Sequence, residues 1–145
     1  MLPHLPPARD ALERHPHSAD CQRLVHNAFR LDLERAGLDT HDLPFAIALF
    51  DSDEIRLIGH RSGAPGHGLI EENEGRLWSL RPVLRACARC SHVGLSFEQG
   101  VVIAALRVQV EHRHGPPLDV YLPHADEGRW WVEAGSSWLF EGPDR

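Results

Sequence analysis

At 145 residues, with 42% hydrophobic and 25% charged positions, the chain is sized for one globular domain with a core of its own. No apolar run approaches the ~18 residues that span a bilayer, and the opening Met1-Leu2-Pro3-His4-Leu5-Pro6-Pro7 lacks the basic and apolar regions of a signal peptide, so the expected setting is the cytoplasm with no membrane partner. All 15 basic residues are arginine, which fits a GC-rich bacterial genome and excludes Schiff-base and P-loop lysines, while a formal net charge of −6 argues against nucleic acid.

Residues 1–17, with Pro3, Pro6, Pro7 and Pro16, read as a loosely held N-terminal arm with room for a short helix over Ala8–Arg14. Residues 18–145 read as a single α+β domain. Ser18 is a good N-cap for a helix over Ala19–Ala36, with Gly37 at its C-terminal stop. Arg23, Asn27, Arg30 and Glu34 form its polar stripe, and Leu24, Val25, Ala28, Phe29 and Leu31 fill the arc that faces a core.

Phe45–Phe50 is a continuous apolar run, expected as a strand covered on both faces. Asp51-Ser52-Asp53 turns it into a half-buried partner strand carrying Ile55 and Leu57, and the glycine-rich stretch 62–68 reads as a loop. Leu69–Leu80 is open to two readings, helix or hairpin; Asn73 and Gly75 favour the hairpin. Pro82 then opens a second helix through Cys90. Strands follow over Val93–Phe97, Val101–Glu111 and Leu118–Leu122, and a last hairpin pairs Trp130-Trp131-Val132 with Trp138-Leu139-Phe140. The expected fold is therefore α+β: an N-terminal helix, an antiparallel sheet built from hairpins, a second helix and a C-terminal β-meander. Many small bacterial adaptor, chaperone and immunity proteins share that outline.

The run Cys87-Ala88-Arg89-Cys90-Ser91-His92 carries the densest chemistry. Two thiols three apart and a nearby imidazole make half of a zinc site or a reactive dithiol. Further ligands would come from His112 and His114, which share a face if their strand continues past Glu111, or from Cys21, His60, His67 or His124. The bland alternative is that Cys87 and Cys90 are inert core residues and the two histidines are solvated at a hairpin tip. Three cysteines is an odd count that fits reduced thiols rather than a disulfide framework. A deaminase-like enzyme would need a metal-binding His and a general-acid carboxylate ahead of the cysteine pair, but His67 and Glu71 have the wrong interval. No nucleophile elbow frames Ser91 or Ser96. Arg81, Arg85 and Arg89 recur every four residues and line one helical face on this reading.

Tyr121, Trp130, Trp131, Trp138 and Phe140 make the C-terminus aromatic, and adjacent tryptophans on a strand must face opposite sides. With no complete catalytic set in the sequence, the leading expectation is a non-enzymatic module that binds another protein, a second copy through an edge strand included. Its surface is expected at Trp131, Tyr121 and Trp130, rimmed by Asp126 and Glu127. That expectation falls if both tryptophans are buried in the monomer. The alternative is a zinc-binding protein or metal-dependent enzyme using Cys87, Cys90, His92, His112 and His114; on the leading reading no cofactor is needed. Eleven histidines add a pH expectation, because protonating all of them swings the formal charge from −6 to +5.

Overall fold

A computed structural model describes residues 9–35, 43–58, 69–96, 100–123 and 130–140. Helix α1 spans Arg9–Glu13 and α2 spans Ser18–Arg35. Ser18 accepts a hydrogen bond on its hydroxyl from the Gln22 side chain. The buried positions Cys21, Leu24, Val25, Ala28, Asp32 and Arg35 recur at three- and four-residue steps, which is the single inward stripe of an amphipathic helix. In the segment before α2, Leu12 is buried in the core and His15 is buried with its Nε2 3.0 Å from the Pro116 carbonyl oxygen, whereas Glu13, Arg14 and Pro16 are exposed. Ala36, Gly37 and the 62–68 stretch lie outside the described residues.

Among the described residues, six antiparallel strands form one sheet in the order β2-β1-β3-β4-β5-β6. They are β1 (Phe45–Phe50), β2 (Ile55–Ile58), β3 (Leu84–Ser96), β4 (Val102–His112), β5 (Leu118–Pro123) and β6 (Trp131–Ala134). Helix α3 (Leu69–Leu80) and a short 3-10 turn (Arg81–Val83) connect β2 to β3. The α+β class is thus the one expected. No described helix is long and apolar enough to cross a membrane.

The sheet is sandwiched. One face carries Ile47, Ala88, Cys90, Val108 and Val120 against Leu12, Leu24, Val25 and Ala28 of α1 and α2. The other carries Ala46, Ala48 and Cys87 against Leu77 of α3 and Leu139 and Phe140 of the C-terminal segment. Cover on both faces explains why β1 is apolar at every position.

Three expectations are corrected. The 69–80 segment is a helix, not a hairpin. Asn73, Leu77 and Leu80, at steps of four and three, turn to the sheet, and Gly75 sits on the open side with nothing near it. The glycine weakens the helix by about 1 kcal/mol, which the docking of Leu77 outweighs.

The second expected helix, from Pro82 to Cys90, is a strand. Ala, Leu and Arg favour helix locally, but β3 lies at the centre of the sheet, bonded to β1 on one side and β4 on the other. Two ladders of hydrogen bonds override a weak local preference. Pro82 instead lies in the 3-10 turn, where its missing N–H is harmless.

The last hairpin does not form. After β6 the chain leaves the sheet edge at Gly135, which passes so close to Leu118 that a Cβ would lie 3.2 Å from its backbone. Trp138–Phe140 then crosses the α3 face. The buried Glu111 carboxylate fixes it there, accepting the backbone N–H groups of Trp138, Leu139 and Phe140.

Candidate functional site

The strand conformation of β3 decides the cysteine question. Side chains alternate along a strand, so residues three apart point to opposite faces. Cys87 enters the core under α3 and Cys90 the core under α2. With the sheet between them, the two sulfurs cannot share an ion or form a redox pair. All three cysteines are free and buried. Burial pushes the Cys21 thiol up to about 12 and holds Cys87 and Cys90 higher still, so none is a ready nucleophile. His92 is engaged elsewhere: its Nε2 lies 2.7 Å from Oδ1 of Asp32, a buried residue of α2.

His112 and His114 belong to a different constellation. Strand β4 ends at His112, whose side chain is fully buried, and His114 stands exposed in the following turn. The stretch between α1 and α2 brings His15 and His17 onto the same spot. The His17 and His112 rings stack at 4.1 Å with planes 6° apart, and His114 lies 6.0 Å from His17. Asp20, in the first turn of α2, places Oδ2 2.9 Å from His112 Nε2. His112 Nδ1 accepts the backbone N–H of His114, so Nε2 carries the proton toward Asp20. His15 is held in the same way, with Nδ1 accepting the His17 N–H and Nε2–H donating to the Pro116 carbonyl. Burial lowers the pKa of both His15 and His112, and their hydrogen bonds to Pro116 and Asp20 oppose it.

A bulge supplies the charged neighbour. Between the pairs Leu49–Ala86 and Phe50–Leu84, β3 carries one extra residue, Arg85. Arg85 reaches both Asp20, with Nε 3.2 Å from Oδ2, and Asp53, 2.5 Å away. Sequence reasoning found His112 and His114 but missed His17 and Asp20. The available signal was the run His15-Pro16-His17-Ser18-Ala19-Asp20, two imidazoles and a carboxylate around a helix cap.

The aromatic expectation is also redrawn. Trp130 and Trp131 are only 5% and 2% exposed. Trp130 packs in the α2-side core with His26 against its edge, and Trp131 lies opposite Tyr121 in the β5–β6 ladder. Neither offers a contact face in this monomer. Tyr121 is half-buried beneath the Arg107 guanidinium. Asp126, Glu127, His60, His67 and His124 lie outside the described residues.

The exposed tryptophan is Trp78 of α3, at 53%. It sits in a row of arginine–aromatic stacks: Arg81 over Trp78 at 5.5 Å, Arg89 over Trp138 at 4.7 Å and Arg113 over Phe140 at 4.7 Å. Arg89 pairs with Glu74, whereas Arg81 and Arg113 bond backbone carbonyls of Leu139 and Leu84. Arg81, Arg85 and Arg89 therefore do separate structural jobs rather than forming one free cationic stripe. Comparisons with protein-family models, curated proteins and solved structures found no match.

Proposed function

We propose that this chain is a non-catalytic, cytoplasmic protein-binding module whose contact surface centres on Trp78 rather than on the Trp130–Trp131 pair. The observation that carries the reading is the half-exposed Trp78 ring, stacked with Arg81 and 6.2 Å from the ring of Trp138. Tryptophan and arginine are the residue types that most often dominate binding energy at protein interfaces. A large ring left in water beside ordered guanidinium groups is ready to lose water to a partner at little cost in side-chain freedom. Arg81 and Arg113, bonded to carbonyls, leave positive charge at this surface of an otherwise acidic chain. A protein partner with an apolar side chain flanked by carboxylates suits it. Three free thiols fit a reducing compartment.

The test places a photo-crosslinking residue at exposed Ser79, next to Trp78, and separately at exposed Leu33 on α2 as a control. Adducts from position 79, to a second copy in purified protein or to another protein in cell extract, that disappear with Trp78→Glu are expected. Equal adducts from both positions, or none from position 79, would overturn the proposal.

A further inference from the structure

We propose that His17, Asp20 and His112 form a binding site for a divalent transition ion of the zinc class, with His114 placed to supply a fourth donor. This does not rest on the protein-binding reading; it concerns the N-terminal end of α2 and the β4–β5 turn.

Each of the three residues offers one ligand atom, and these atoms all lie within 4.8 Å of one another. Among the described residues no other three histidine, cysteine or acidic side chains converge in this way. The donors come from segments about 90 positions apart in the chain, so the fold rather than local sequence gathers them. Donors around a tetrahedral zinc, at bonds of ~2.0–2.1 Å, stand roughly 3.3 Å from each other. The Asp20 Oδ2–His112 Nε2 separation of 2.9 Å is close to that spacing, with a proton now lying between the two atoms. His17 stacks on His112 with nearly parallel ring planes, so completing the triangle takes a rotation of its side chain that aims the in-plane lone pair at the ion, with a shift of up to about 1.5 Å.

The donor chemistry selects the ion. Two imidazoles and one carboxylate suit zinc, cobalt, nickel or copper, and are too nitrogen-rich for calcium or magnesium. Three protein ligands leave one tetrahedral position open. The exposed His114 ring, 6.0 Å from His17 and 6.2 Å from His112, can turn into it, and water is the other occupant.

Two further adjustments accompany binding. The His112 proton moves from Nε2 to Nδ1, which removes the hydrogen bond from the His114 N–H. His114 lies in an exposed turn, where water can take over that donor. Arg85 gives up Asp20 to the ion, and its bond to Asp53 keeps the guanidinium paired. The nearby positive charge weakens affinity relative to a site without it.

The test uses untagged full-length protein and Co²⁺, whose visible absorption reports tetrahedral coordination, followed by Zn²⁺ competition. One equivalent of Co²⁺ is expected to bind with tetrahedral bands that Zn²⁺ abolishes. His17→Ala, at a partly exposed position, is expected to weaken binding at least tenfold with an unchanged far-ultraviolet circular dichroism spectrum. In the unmutated protein, Zn²⁺ is expected to shift the ring resonances of His17 and His112 and leave those of His26 in place. Absence of tetrahedral bands, equal binding by His17→Ala, or zinc shifts confined to other histidines would each overturn the site.

Discussion

Oε2 of Glu111, at the end of β4, accepts the Leu139 backbone N–H at 2.6 Å, and on the other side of the same residue Arg81 Nε donates to the Leu139 carbonyl at 2.7 Å. The backbone of one residue is thus gripped on its two sides by a buried anion and a cation, and this substitutes for the hairpin that the C-terminal sequence suggests. Glu111→Gln replaces one acceptor oxygen with a donor facing backbone N–H groups. The expected loss is about 3 kcal/mol of stability, because charge-assisted bonds are removed and buried donors are left without acceptors. Urea unfolding of the two proteins measures it. A change within about 0.5 kcal/mol, the range of ordinary surface substitutions, would show that residues 138–140 are held by packing alone.

Gly115 lies directly against His15. A Cβ at this position would come within 2.6 Å of His15 Nε2, and the ring cannot swing aside while it bonds both Pro116 and His17. Gly115→Ala is therefore expected to destabilise the fold by ~1–3 kcal/mol, read as a lowered thermal midpoint. A neutral result would mean that the His15 ring is not fixed there in solution.

Tyr121 is the only tyrosine, so tyrosinate absorbance reports on it alone. Burial raises its pKa above the ordinary value of 10.0, with the Arg107 charge opposing. The native midpoint is expected above 10. Because the unfolded chain then releases its proton first, this contribution to stability is intact below pH 10 and declines as the pH rises beyond it. A native midpoint at or below the value measured in denaturant would contradict the burial described for β5.

The thiols give a second independent check on burial. With Cys21 pushed up to about 12 and Cys87 and Cys90 above it, none of the three is expected to react with a thiol reagent in native protein near neutral pH, and all three are expected to react after denaturation. Rapid native labelling at Cys87 or Cys90 would place that residue outside the core and reopen the sequence reading of the Cys-x-x-Cys pair.

Helix α2 was legible because its inward stripe repeats over eighteen residues, long enough for period to outweigh composition. Strand β1 was legible because six consecutive apolar residues have no other economical place. The 69–80 and 82–90 segments were not. Asn73 and Gly75 lower helix propensity without forbidding a helix, and Ala86, Ala88 and Arg89 favour one without enforcing it. Differences of a kcal/mol or less per residue are decided by docking and by cross-strand hydrogen bonds.

The sequence by itself determined the α+β class, the long amphipathic helix, the apolar strand β1 and the absence of lysine chemistry, since each follows from composition or from a period within one segment. Tertiary structure alone decided that Cys87 and Cys90 face opposite layers, that Trp130 and Trp131 are covered while Trp78 is not, and that His17 and Asp20 meet His112. Those outcomes depend on strand pairing and layer packing between distant segments. Neither leaves a trace in local spacing.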